Sequence, residues 1–128
     1  MTAKEMLDSV RACNTRVDTL LRKKRKLLEL SSRDEPLRED PAAQNALLEQ
    51  EIEEAYQDLS LKTRRVSRLI ERLPLFEERE TLQLRYIRLV RYPDIAEILG
   101  YCERQIFRIH SRAIKRLETL VAGETPRV

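Results

Sequence analysis

The chain has 128 residues, a net charge of +3, 37% charged and 5% aromatic residues, two glycines and no tryptophan. A chain of this length holds one modest core, and its Leu, Glu, Arg and Lys content favours long helices with narrow apolar seams over a large globular interior. No apolar run resembles a signal peptide or approaches the length of a membrane span, which predicts a cytoplasmic protein with no membrane partner.

From the N-terminus, Thr2-Ala3-Lys4-Glu5 reads as a capping box, with Thr2 as N-cap and Glu5 returning to its N–H. Apolar residues then recur in steps of three and four at Ala3, Met6, Val10, Cys13, Val17, Leu20 and Leu27, with one miss at Lys24. A second seam runs through Leu48, Ile52, Ala55, Leu59, Val66, Leu69 and Leu73 and misses at Lys62. Such seams mark helices that pack lengthwise. Between them, SSRDEPLREDPAAQ reads as a loop, with Asp40 in the N-cap place and Pro41 at the first helical position. The two helices are expected to fold back antiparallel, setting Leu27 near Leu48 and Val10 near Val66. Exchange of helices between two chains is the other arrangement this loop permits.

Pro74 ends the second helix, because it lacks an N–H and clashes with the preceding turn. In the next segment Phe76, Leu82, Tyr86, Leu89 and Val90 are expected to make one apolar face. Glu77, Glu78 and Glu80 suit its N-terminus, and Arg88 and Arg91 its end. After Pro93, Ile95, Ala96, Ile98 and Leu99 predict a helix of about two turns. Gly100 stands where a helix end calls for positive φ. The last helix begins near Cys102, with Cys102, Ile106, Ile109, Ala113, Leu117 and Leu120 on its apolar face. Its opposite face carries Arg104, Arg108, Ser111 and Lys115, flanked by Phe107 and Arg112.

Charge is unevenly spread. Residues 1–30 hold 8 basic and 4 acidic groups, residues 31–60 hold 2 and 9, residues 61–92 hold 9 and 4, and residues 93–128 hold 6 and 5. The run Arg22-Lys23-Lys24-Arg25-Lys26 reads as a scaffold paired with Glu49, Glu51, Glu53 and Glu54, with nucleic-acid contact as the alternative. Lys62, Arg64, Arg65, Arg68 and Arg72 have fewer acids nearby and read as a free basic face or a solvated helix surface.

A short helix, a glycine turn and a second helix with one buried and one basic face are the parts of a helix-turn-helix. Its second helix can place arginines against guanine O6 and N7 in the major groove. The stretch LQLRYIRLVRYPDIAEILGYCERQIFRIHSRAIKRL, Leu82 to Leu117, resembles region 4 of sigma-70-type factors. It looks closer still to small phage and prophage proteins with such a C-terminus, including ArpU-like late-gene regulators and related phage domains of unknown function. The resemblance rests on LRYI, IAEILGY and RQIFRIHSRAIKRL and covers under a third of the chain. It implies DNA base contacts at Glu103, Arg104 and Arg108, with Phe107 among them, and Ser111 on the same face is expected to meet the bases as well. Phe107 stands where a basic residue is common and could meet a thymine methyl group. Arg88, Arg91, Arg112 and Lys115 are assigned to phosphates. Cys102 departs from the Ser or Thr that commonly opens this helix, and Tyr92-Pro93-Asp94 from the usual polar cap before the first.

The expected protein is therefore all-α, with a long antiparallel helical hairpin over residues 1–73, a sigma-region-4-like helix-turn-helix unit over 74–121 and a frayed tail over 122–128. Its expected function is sequence-specific DNA binding in transcriptional regulation, in a phage or prophage setting. Double-stranded DNA is the partner, with a homodimer built on the hairpin and RNA polymerase as a further partner. Two alternatives stand beside this: a helical adaptor that binds another protein through the hairpin, and a DNA-recognition subunit of phage packaging machinery. No enzyme, metal or cofactor is expected. His110, the only histidine, reads as a partly buried structural residue. Cys13 and Cys102 lack metal-ligand spacing, and there is no phosphate-binding glycine loop.

Overall fold

The computed structural model describes residues 2–31 and 41–124, and for residues 41, 42 and 124 the backbone only. All of its regular structure is helical: α1 (Ala3–Ser31), α2 (Pro41–Glu71), α3 (Phe76–Leu82) continued by a π turn over Gln83–Ile87, α4 (Tyr92–Leu99) and α5 (Glu103–Glu124). The expected all-α class is observed. The expected N-cap Asp40 and most of the expected loop lie outside the described residues, whereas Pro41 opens α2. Helix α5 runs through Glu124, into the stretch expected to be a tail.

The capping box at the start of α1 is formed in both directions. The Glu5 N–H donates to Thr2 Oγ1 at 3.1 Å, and the Thr2 N–H donates to Glu5 Oε2 at 3.1 Å. Two of the otherwise unpaired donors at this helix start are thereby satisfied.

The chain packs as two compact units, one of Met1–Arg11 with Lys62–Val128 and the other of Ala12–Leu61. In the second unit the middle of α1 meets the first half of α2. Val17 and Leu20 bury against Leu48, Ile52 and Ala55, with Leu21, Leu27 and Leu59 half-buried around them. The Cys13 thiol donates to Asp58 Oδ2 at 3.2 Å, and Lys24 Nζ lies 3.3 Å from Glu49 Oε1. These pairings run in opposite chain directions, so the two helix segments are antiparallel. Lys24 thus interrupts the apolar seam while its ammonium reaches out to a charge partner. An exposed pair of this kind contributes only ~0–1 kcal/mol, so the apolar seam supplies most of the stabilisation.

The first unit is built from five segments. Ala3, Leu7 and Val10 of α1 and Val66, Leu69 and Ile70 of α2 are buried, as are Leu73, Leu82, Tyr86, Ile95, Ala96, Ile106, Ile109, Ala113 and Leu117. Two seam expectations need correction here. Leu7 is fully buried where Met6 is only half-buried, and Ile70 is fully buried between seam positions. Each reflects an additional neighbour on a second side of the helix. Ala3, Met6, Leu7, Val66, Leu69 and Leu117 line one small apolar cleft, in which α1, α2 and α5 meet. The Lys4 N–H, in the first turn of α1, donates to Glu118 Oε1 of α5 at 3.2 Å, and this carboxylate also suits the positive end of the helix.

After α2, the guanidinium of Arg79 donates to the carbonyl of Leu73, two residues past the helix end, at 2.8 Å. Glu78, expected to serve only the N-terminus of α3, is buried and forms an ion pair with Arg116 of α5 at 3.0 Å.

The expected continuous apolar face from Phe76 to Val90 is not formed, since Phe76 and Leu89 are exposed. The helix widens at Gln83–Ile87, where the Arg88 N–H donates to the Gln83 carbonyl at 3.0 Å and the Val90 N–H to the Leu84 carbonyl at 2.8 Å. Leu89 closes this turn at φ 58°. A left-handed leucine costs about 1–2 kcal/mol. Burial of Tyr86 and the 3.4 Å hydrogen bond from Arg85 Nη1 to the Val90 carbonyl act on the other side.

Candidate nucleic-acid interface

Helix α4 has Arg91 as its N-cap, and Pro93 suits the first turn, where the missing N–H leaves no helical bond unmade. Its buried side is Ile95 and Ala96, packed with Ile106 and Ile109 of α5 and bordered by Leu84, Val90, Tyr92 and Leu99. The small Ala96 side chain lets the two helices approach closely. Ile98, one of the apolar residues that predict this helix, is 60% exposed and lies beyond the strip that faces α5.

Gly100 ends α4 at φ 76°, as its place in the sequence suggested, and the Tyr101 N–H then donates to the Ala96 carbonyl at 2.9 Å. Helix α5 starts one residue later than its expected apolar face. Cys102 is exposed and precedes the helix. Its N–H is taken by Gln105 Oε1 at 3.1 Å, which is the half of a capping box that does not require a Ser or Thr.

Ile106, Ile109, Ala113 and Leu117 then anchor α5 in the core. The geometry of a helix with this buried stripe turns Arg104, Arg108, Ser111 and Lys115 the other way, with Phe107 on one flank and Arg112 on the other. All six are exposed, as is Glu103 in the first turn. Arg88 follows the π turn and is exposed; Arg91 is exposed and lies 3.5 Å from Asp94 in the first turn of α4. The structure therefore gathers Glu103, Arg104, Phe107, Arg108, Ser111, Arg112 and Lys115 on the outer surface of one helix, while Arg88 and Arg91 belong to the connection before α4.

The basic residues of this unit divide by what they hold. Arg79 is bound to the Leu73 carbonyl, Arg85 to the Val90 carbonyl and the Tyr92 ring, and Arg116 to Glu78. Among the described residues, the side chains of Arg88, Arg104, Arg108, Arg112 and Lys115 make no hydrogen bond or ion pair. Their donors face the solvent.

Behind this surface lies an aromatic cluster. Tyr92 meets Phe107 with ring centroids 4.9 Å apart, and the Arg85 guanidinium sits 4.3 Å from the centroid of Tyr92. His110 Nε2 shares a 2.8 Å hydrogen bond with Tyr86 Oη and lies 3.4 Å from Tyr92 Oη. Burial pushes the His110 pKa below its usual value, and the positive charges of Arg85 and Lys4 push the same way against Asp8. Burial likewise pushes the Tyr86 phenol up to about 12. A half-buried histidine with a tyrosine partner fits the structural role expected of it. Tyr92, expected only at the cap before α4, and Arg85 support Phe107 from behind.

No group of three or more His, Cys, Asp or Glu among the described residues could hold a metal ion, and no helix there is long and apolar enough to cross a membrane. Compared with models of known families, with curated proteins and with solved structures, the chain matches none of them.

Proposed function

We propose that this protein is a sequence-specific regulator of transcription that binds double-stranded DNA with α5 in the major groove. The observation that carries the reading is the outer surface of α5, where Arg104, Arg108, Arg112 and Lys115 have no internal partner while the opposite side is fixed in the core. A rigid helix with free arginines near its N-terminus can present bidentate donors to guanine O6 and N7. Glu103 supplies an acceptor for a cytosine amino group, and Ser111 a hydroxyl that pairs with either kind of edge. Arg88, Arg91, Arg112 and Lys115 serve phosphates, which position the helix without carrying sequence information. The exposed Arg91–Asp94 pair is weak enough to be exchanged for a phosphate contact.

One such helix reads few base pairs, so the active species is a homodimer on two half-sites. The α1–α2 unit exposes Leu28, Leu47, Tyr56 and Leu61 and is the element available to join two copies. RNA polymerase is the further partner that the sigma-like sequence suggests, and the same resemblance suggests a phage or prophage setting.

The experiment is recovery of bound duplexes from fragments of the source genome by wild type and by the Arg104→Ala/Arg108→Ala double variant. The reading expects enrichment of a common sequence by wild type and its loss in the variant. Equal recovery by both proteins would remove the groove-reading helix and return attention to a protein partner of the α1–α2 unit.

A further inference from the structure

Phe107 is 49% exposed beside the unpaired arginines of α5, although burying a phenylalanine is ordinarily favourable. Its ring is nonetheless supported. Tyr92 packs against it at 4.9 Å with a 50° tilt, and Tyr92 is itself held by Arg85 on its face and by His110 at its edge, 5.7 Å away. The ring therefore has one side against a fixed wall and the other open to the solvent. An aromatic ring held in this way loses little conformational freedom when a partner covers it.

Phe107 also has a defined place among the candidate readers. Arg104 lies three residues before it and Ser111 four after, so both neighbour it along the helix. Arg108 is one residue further and about 1.5 Å along the axis, but turned by about 100°. With base pairs about 3.4 Å apart, that turn would set the ring and the Arg108 guanidinium against different base edges in a major groove. The one apolar group on the major-groove edge of a base pair is the thymine 5-methyl.

Resting on the DNA-reading role of α5, we infer that Phe107 is a specificity-determining residue that selects thymine through its 5-methyl group, at a base pair adjacent to a guanine read by Arg104 or Arg108. Tyr92 is the positioning residue that holds the ring.

The test uses the full chain and a random-sequence duplex library, first with thymidine and then with every thymidine replaced by deoxyuridine. The replacement removes the methyl groups and leaves the hydrogen-bonding edges in place. From the ordinary library wild type should select a motif in which thymine neighbours guanine. Single deoxyuridine substitutions in that motif should weaken binding at one or two positions, by about four- to tenfold, the effect of removing one apolar contact. In Phe107→Ala that discrimination should vanish, with the guanine preference kept. In Arg104→Ala the thymine-to-uracil ratio should persist while the guanine preference weakens. The proposal is overturned if wild type binds uracil and thymine duplexes equally at every position, or if the ratio survives in Phe107→Ala; either leaves the DNA-reading role standing. Absence of binding by wild type to any duplex would overturn both.

Discussion

Glu78 and Arg116 join α3 to α5 through a contact of 3.0 Å in which the carboxylate is sealed from solvent and the guanidinium is half exposed. Only one carboxylate oxygen, Oε1, has a partner. Arg116 lies on the flank of α5, one turn after Arg112, so the pair ties the side of the helix to α3. Removal of Arg116 by alanine leaves a buried charge uncompensated. Truncating one member of a fully buried pair costs about 3–5 kcal/mol, and the exposure of Arg116 reduces this to about 1–3 kcal/mol. Urea unfolding should show that loss for Arg116→Ala and a smaller one for Glu78→Gln, which removes the charge along with its demand. Equal midpoints for wild type and Arg116→Ala would contradict the account.

The two glycines should answer the same substitution in opposite senses. Gly100 stands at φ 76° with open space around it, so an added methyl meets no atom but occupies a disfavoured backbone region. Gly100→Ala should cost about 1 kcal/mol. Gly123 lies within α5, also with open space, and Gly123→Ala should stabilise by up to about 1 kcal/mol, less whatever fraying at the helix end removes. Thermal melts of the two variants decide this.

Leu7 lies far along the chain from α5 and yet is fully buried in the same unit. Leu7→Ala should cost about 2–5 kcal/mol, while Met6→Ala, at a half-buried position, should cost less. The same loss should weaken DNA binding near the melting range, because the core that fixes α5 includes the start of α1. A Leu7→Ala protein with an unchanged denaturation midpoint would sink this reading of the fold.

Burial of Tyr86 and His110 gives stability a pH dependence on both sides. The folded pKa of His110 is lowered, so the unfolded chain binds the additional proton. Its contribution is complete above about pH 6.5 and is lost as pH falls below that value. The folded Tyr86 pKa is raised to about 12, so its contribution is complete below the ordinary phenol value and is lost as pH rises toward 12. Melting temperatures from about pH 7.5 down to about 5.5 should fall more steeply for wild type than for His110→Gln. Parallel slopes would rule out His110 as the titrating group.

Much of the fold was legible because local chemistry and tertiary packing agree there. Thr2 and Glu5 announce the start of α1, Gly100 the end of α4, and the spacing of Ile106, Ile109, Ala113 and Leu117 the buried side of α5. The errors share a physical origin in contacts between segments distant in sequence. Leu7 looks like a residue beside the seam until Leu117 closes one side of it. Glu78 looks like a first-turn acid until Arg116 arrives from α5. The π turn was hidden because a left-handed Leu89 has no sequence signature of the kind Gly100 has. At the candidate interface, helical period was enough to group Arg104, Arg108, Ser111 and Lys115. The backing of Phe107 by Tyr92, Arg85 and His110 required the three-dimensional arrangement.

The most direct test of the central claim is duplex-DNA affinity across a salt series, by fluorescence anisotropy, for wild type, Lys115→Ala and Arg104→Ala/Arg108→Ala. The account predicts that wild-type affinity falls steeply with salt, each phosphate contact adding about 0.9 to the logarithmic slope. Lys115→Ala should lower that slope by about one per bound copy and weaken all sequences alike. The arginine double variant should lose preference for the selected site, each guanine contact being worth about 1–3 kcal/mol. Binding that is absent, or equally weak for all three proteins at every salt concentration, would contradict the claim that α5 reads DNA.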